Sequence, residues 1–245
     1  MAHFYESTLI NTVDGFQCKS YASEHPDGYV IVKPKYIPES VLDFTGLKKR
    51  FLFGKCMTRF NLFNKKEIVE ENLARLKSTF AYYFYECPLH KNWFLVVPKD
   101  KIKKTYDTRE GVKELMKVPV DNVDPYLKAT QGFIELMLKS GIRIDDIGIT
   151  HSTLLGNYTY GKSDIDILVF GKDNGWKVLN FLETAEHPLL KWKSEEDWAK
   201  YYRDRVISTQ YSEKEYVYNM VKKKDDGLFD GNVFSIFCVE EPDEL

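Results

Sequence analysis

Two apolar runs, Ile147-Gly148-Ile149-Thr150 and Ile165-Asp166-Ile167-Leu168-Val169-Phe170, flank a turn-rich segment containing Gly156, Asn157 and Gly161. Each run is short, rich in β-branched residues and bounded by turn formers, so residues 148–171 read as strand, turn, strand. Side chains alternate along a strand, so Asp164 and Asp166 share one face while Ile165 and Ile167 point into a core. Two carboxylates are thereby forced together. Like charges so placed are unfavourable unless a cation neutralises them, and Mg²⁺ takes carboxylate oxygens together with substrate phosphates. Ser152 ends the first strand, and Thr153-Leu154-Leu155-Gly156 starts a short helix whose backbone N–H groups suit a phosphate. Eleven residues separate Ser152 from Asp164, enough to fold a phosphate-binding turn over the carboxylates.

The rest of the chain falls into two regions. From Gly15 to Pro38 aromatic and β-branched residues alternate with polar ones, punctuated by Pro26, Pro34 and Pro38, which predicts short strands and turns. Phe80 to Pro98 has the same character, and Lys65 to Lys77 between them predicts an amphipathic helix through Ile68, Leu73 and Leu76. After Pro98 helices dominate. Thr108–Met116 reads as one, and Asp124-Pro125 opens a stronger one by placing an N-cap before a first-turn proline, with Gly141 as its stop. Asn174–Glu183, carrying Trp176, Val178, Leu179, Phe181 and Leu182, and Trp198–Ile207 read as two more. Val233–Val239 reads as a buried strand. The expected fold is therefore α+β. A β-rich accessory module occupies 1–105, with the boundary within 99–124, and a domain with a short mixed sheet covered by helices occupies 106–245.

Composition narrows the function classes. A hydrophobic share of 43% against 29% charged describes a globular chain. A net charge of −2 excludes a general nucleic-acid coat protein. Cys18, Cys56, Cys87 and Cys238 form no CxxC pair and read as reduced and buried. No leader and no run of about 20 apolar residues is present, so the expectation is a cytoplasmic protein that does not engage a membrane.

The run from His151 to Gly171 is similar to the signature of the DNA-polymerase-β-like nucleotidyltransferase superfamily: an apolar residue, Gly, then Gly or Ser, about ten residues, and Asp-apolar-Asp or Glu. In particular the chain resembles an archaeal family of nucleotidyltransferases with a small N-terminal module. Asp14-Gly15-Phe16, His25-Pro26-Asp27, Tyr29-Val30-Ile31, Lys35-Tyr36-Ile37-Pro38 and the stretch from Lys222-Lys223-Lys224 to Phe237 share in that likeness. The resemblance implies transfer of a nucleoside monophosphate from an NTP to an acceptor, which is RNA, protein or a small molecule, with release of pyrophosphate. It also implies Mg²⁺ or Mn²⁺ on Asp164 and Asp166, and nucleotide contacts from His151, Ser152, Thr153, Gly156, Lys162 and Ser163. The third carboxylate of the superfamily comes from a neighbouring strand; Val233–Val239 leads to Glu240 and Glu241, and Glu240 is the choice here.

At His151 the chain departs from the family, which has glycine there. Either the imidazole swings outward as a phosphate donor or it occupies the phosphate's space, leaving a catalytically impaired nucleotide- or RNA-binding module as the alternative function. Other features carry plainer readings. His25 reads as a turn residue, Tyr82-Tyr83-Phe84-Tyr85 and Trp93-Phe94 as packing, Lys222-Lys223-Lys224 as a solvated turn, and Arg203 and Arg205 as an exposed helix face.

Overall fold

A computed structural model describes residues 3–62, 64–205 and 210–245, with the side chain of Arg205 excluded. The chain is α+β and divides into two compact units, Met1–Asp107 and Thr108–Leu245; the sequence places this division between 105 and 106.

The first unit contains β1 (Leu9–Thr12), β2 (Gln17–Ser20), β3 (Tyr29–Pro38), β4 (Lys49–Leu52), β5 (Lys55–Arg59), α1 (Lys66–Thr79), β6 (Phe84–Cys87), β7 (Asn92–Pro98) and β8 (Ile102–Tyr106). Its sheet runs β4-β5-β3-β2-β1-β8, with β7 also paired to β3 and β6 to β7. The prolines do not divide the Gly15–Pro38 region into short strands throughout, as expected. Tyr29–Pro38 is one ten-residue strand with alternating burial, and Pro34 lies beside a register shift between Gln17 and Cys18, where a missing N–H costs least. Phe16 stacks on Tyr83 at 4.8 Å, and the hydroxyls of Tyr82 and Tyr83 both donate to Asp14 at 2.8 and 2.9 Å.

The second unit contains α2 (Thr108–Lys117), α3 (Pro125–Leu138), β9 (Ile147–Ile149), α4 (His151–Leu155), β10 (Ile165–Phe170), α5 (Lys172–Thr184), β11 (Leu190–Trp192), α6 (Glu195–Arg205), α7 (Glu213–Lys223), β12 (Asp226–Phe229) and β13 (Asn232–Val239). Its mixed sheet runs β11-β12-β13-β10-β9; β10 is antiparallel to β9 and parallel to β13. Asp124 caps α3 by accepting from the Leu127 N–H at 3.0 Å. Ile165, Ile167 and Val169 of β10 join Phe234 and Ile236 of β13, Phe133 and Met137 of α3, and Val178 and Leu182 of α5 in one core. One face of the sheet is thus dry and covered by α3 and α5, and strand alternation sends Asp166 to the other face.

Several expectations need correction. Lys222 and Lys223 end helix α7, where the sequence predicts a turn, and β11 and β12 add two strands to those expected. The helix expected to reach Ile207 is described to Arg205, and the remainder lies outside the described residues. Only Cys18 of the four cysteines is buried; Cys87 is partly buried, and Cys56 and Cys238 are exposed. Trp176 is 65% exposed and contributes little to the dry face of α5. Among the described residues no helix is long and apolar enough to cross a membrane.

Candidate functional site

The site is built around the start of β10. Ile167 pairs with Ile149 and Leu168 with Gly148, and the Thr150 N–H donates to the Asp166 carbonyl at 3.1 Å. This ladder fixes the end of β9, and hence His151 and Ser152, beside the first residues of β10. Gly148 permits the pairing: a Cβ there would stand 2.7 Å from the Thr108 hydroxyl of α2 and 3.1 Å from the Phe170 ring. Its role is close packing of α2 and Phe170 against β9.

Asp164 is exposed immediately before β10, and Asp166 is half-buried on the strand. His151 has φ +52°, the left-handed region that glycine enters freely and that His tolerates better than most residues. The backbone thus has at this position the conformation suited to the glycine of the motif. The side chain does not swing outward. Its Nδ1 lies 3.1 Å from Asp166 Oδ2, and its ring meets Phe237 of β13 edge-on at 5.8 Å.

Tyr126, to which the sequence assigns no role, holds the two halves of the loop together. It lies in the first turn of α3 and is fully buried; its hydroxyl lies 2.7 Å from Thr153 Oγ1 and donates to the Asp164 carbonyl at 2.8 Å. Burial pushes its phenol up to about 12, with the Asp166 and Asp164 carboxylates adding to the rise, so the hydroxyl remains a donor at neutral pH. The Tyr126 ring stacks on Tyr158 at 4.5 Å, and the Tyr158 hydroxyl donates to the cap residue Asp124. Replacing Tyr126 with Phe strands the Thr153 hydroxyl and the Asp164 carbonyl, at an expected cost of about 1–3 kcal/mol in urea unfolding. A loss under about 0.5 kcal/mol would mean that the hydroxyl bridge contributes little. The signal available in the sequence is a polar aromatic just inside a capped helix; nothing local says which strand it meets.

The expected nucleotide-contact residues divide. Ser152 is half-exposed beside the carboxylates, whereas Thr153 is buried and engaged with Tyr126. Gly156 ends α4 at φ +67°, and its N–H donates to the Thr153 carbonyl. Ser163 closes the loop by accepting from the Thr159 N–H at 2.9 Å, and Lys162 is exposed on the same loop. Helix α4 has only five residues, so an anion there would meet individual N–H groups rather than a developed macrodipole.

Glu240 is not brought to the site. The parallel register sets Asp166 against Ser235 and Phe170 against Val239, which puts Glu240 at the opposite end of β10, roughly 16 Å along the strand. There it pairs with Lys172 at 3.0 Å. The position facing Asp166 holds Ser235, and Cys238 lies on the other face of β13, so the two do not look the same way. Ser235 donates to Asp226 Oδ1 of β12 at 3.0 Å, and Lys193 approaches the same oxygen at 3.3 Å. Asp166, Ser235 and Asp226 therefore form a row across three adjacent strands, with Asp226 about 10 Å from Asp166 by strand spacing.

Asp164, Asp166 and the Ser152 hydroxyl suit an Mg²⁺ or Mn²⁺ that arrives with a triphosphate, since that ion is held by one or two carboxylates plus phosphate oxygens. Among the described residues no group of three or more His, Cys, Asp and Glu is arranged to hold a metal ion. The pair by itself is not a self-sufficient metal cage.

No family model matches the chain, and no solved structure matches it. The chain is 24% identical over 243 residues to an uncharacterized protein of Methanocaldococcus jannaschii, a likeness covering 97% of this chain and 68% of that protein.

Proposed function

We propose that the chain is a metal-dependent nucleotidyltransferase that moves a nucleoside monophosphate from an NTP to an acceptor and releases pyrophosphate. The observation that carries this reading is the carboxylate pair at the head of the interior strand β10, with Asp166 on the face away from the core and Ser152 held nearby by the β9–β10 pairing. Asp164 and Asp166 hold the cation, and when bound it neutralises the charge that develops on the transferred and departing phosphates. Ser152 contacts the β- and γ-phosphates, and Tyr126 keeps the loop and the head of β10 in register, so that the carboxylates meet the phosphates preorganised.

A second reading, a nucleotide-binding module with weak turnover, is favoured by two particular residues. Ser235 stands where a third carboxylate would face Asp166, which removes the usual acceptor for the attacking hydroxyl's proton. His151 occupies one oxygen of Asp166.

Calorimetric titration with ATP, GTP, CTP and UTP in Mg²⁺, together with a pyrophosphate assay, separates the readings. Mg²⁺-dependent binding with pyrophosphate release supports the transferase, and binding without release supports the module. Absence of binding to all four nucleotides sinks both. In the same titration His151→Gly is expected to tighten binding about tenfold, because the imidazole–carboxylate hydrogen bond no longer has to be broken. Weaker binding in that variant would instead make His151 a nucleotide donor.

A further inference from the structure

The first unit carries an exposed feature that nucleotide transfer at the carboxylate pair does not use. Strands β4 and β5 form a hairpin with Leu52 opposite Lys55, Phe51 opposite Cys56 and Arg50 opposite Met57, and β4 is an outer strand of the sheet. Phe51 is 78% exposed and Phe53 is 52% exposed. Neither makes an aromatic contact among the described residues, whereas Tyr82 and Tyr83 are committed to Asp14 and Phe84 packs on Trp93 at 5.3 Å. Two large rings in water at one hairpin have no folding rationale of their own.

Cations surround the rings. Lys48, Arg50, Lys55 and Arg59 are all exposed, and among the described residues none of the four forms an ion pair. Lys49 is different: it is held by Glu39 and Asp43. This density of free positive charge is local, because the whole chain has a net charge of −2.

Alternation sorts the two chemistries. Phe51 lies on one face of β4, and Lys48 and Arg50 lie on the other together with Lys55 and Arg59 of β5. A ligand lying along the β4 edge meets the Phe51 ring on one side and cations on the other, with Phe53 exposed in the turn that follows. A single-stranded polynucleotide has that polarity, with stackable bases to one side of its backbone and phosphates to the other. A second copy of the hairpin does not, since pairing two β4 edges would set Arg50 and Lys48 against their own kind.

We propose that the β4–β5 hairpin is a docking surface for single-stranded nucleic acid, with bases on Phe51 and Phe53 and phosphates on Arg50, Lys48 and Lys55. The inference concerns the first unit alone and stands whether or not the Asp164–Asp166 site turns over.

Fluorescence anisotropy of a labelled oligouridylate of about 16 nucleotides, the upper end of single-strand site sizes, tests it on the full chain. The intact protein binds with an affinity that falls as salt rises. Joint Phe51→Ala and Phe53→Ala replacement weakens binding at least about tenfold, and Phe51→Tyr retains it. Removing Arg50 and Lys55 lowers the salt slope by about 0.7 for each phosphate that the side chain neutralises. A base-paired duplex of the same length binds more weakly, since its bases are not free to stack. No oligonucleotide binding, or binding indifferent to both rings, overturns the proposal. So does sedimentation showing self-association, or capture on phosphatidylserine vesicles, that requires Phe51 while oligonucleotide binding is absent.

Discussion

Replacing Asp166 with Ala is expected, on the proposed function, to abolish Mg²⁺-dependent nucleotide binding, with a loss of at least about 100-fold, and to leave the fold intact. Outer partners of a metal ligand are already worth about 10–100-fold in affinity, so a direct ligand sets at least the upper end of that range. Stability should fall only modestly, by about 1–3 kcal/mol, because the buried His151 Nδ1 loses its carboxylate partner. Asp166 points away from the apolar face made by Ile165, Ile167 and Val169, and its removal relieves repulsion with Asp164. The signature is therefore binding lost while cooperative unfolding persists at a modestly lowered melting temperature, read by calorimetry and thermal unfolding on one preparation. Asp166→Asn keeps the volume and the hydrogen bond to His151 while removing the charge, and should fail in binding as fully as Ala. Intact nucleotide binding in both variants, or a cooperative loss of stability without loss of binding, would sink the metal assignment.

Phe133→Ala should be the most destabilising single replacement in the second unit, at about 3–5 kcal/mol. Phe133 is completely buried, with its ring 4.3 Å from Phe234 and 5.3 Å from Phe229. It ties α3 to both β12 and β13. Deleting the ring removes its transfer free energy and leaves a cavity between three elements that cannot all close onto it. The melting temperature should fall by about 10–20 °C in a unit of this size. Trp176→Ala is the control: a larger ring, but 65% exposed, and so expected to cost under about 1 kcal/mol. Similar losses at the two positions would mean that α3 does not supply the core of this unit.

Features that depend on neighbours along the chain are legible in the sequence. The antiparallel pair β9 and β10, the turning of Asp166 away from the core, and the Asp124 cap of α3 all follow from alternation and local hydrogen bonding, so short stretches suffice to predict them. Helix α7 is legible in part, because Ser212 and Glu215 form a capping box. Its apolar residues Tyr216, Val217, Met220 and Val221 fall on one face at helical spacing, but that face is only half-buried and no side chain of the helix is fully buried.

Other features exist only once distant segments have packed. Whether Glu240 reaches the carboxylates depends on the parallel register of β10 and β13, strands that lie far apart in the chain. That register is set by how Phe234 and Ile236 pack under α3 and α5, and it puts Ser235 opposite Asp166. The direction of the His151 ring likewise depends on Phe237 arriving from the same distant strand. Tyr126 acquires its role only when α3 lies across the head of β10. Strand periodicity assigns a side chain to a face; only packing between segments distant in sequence assigns it a partner across that face.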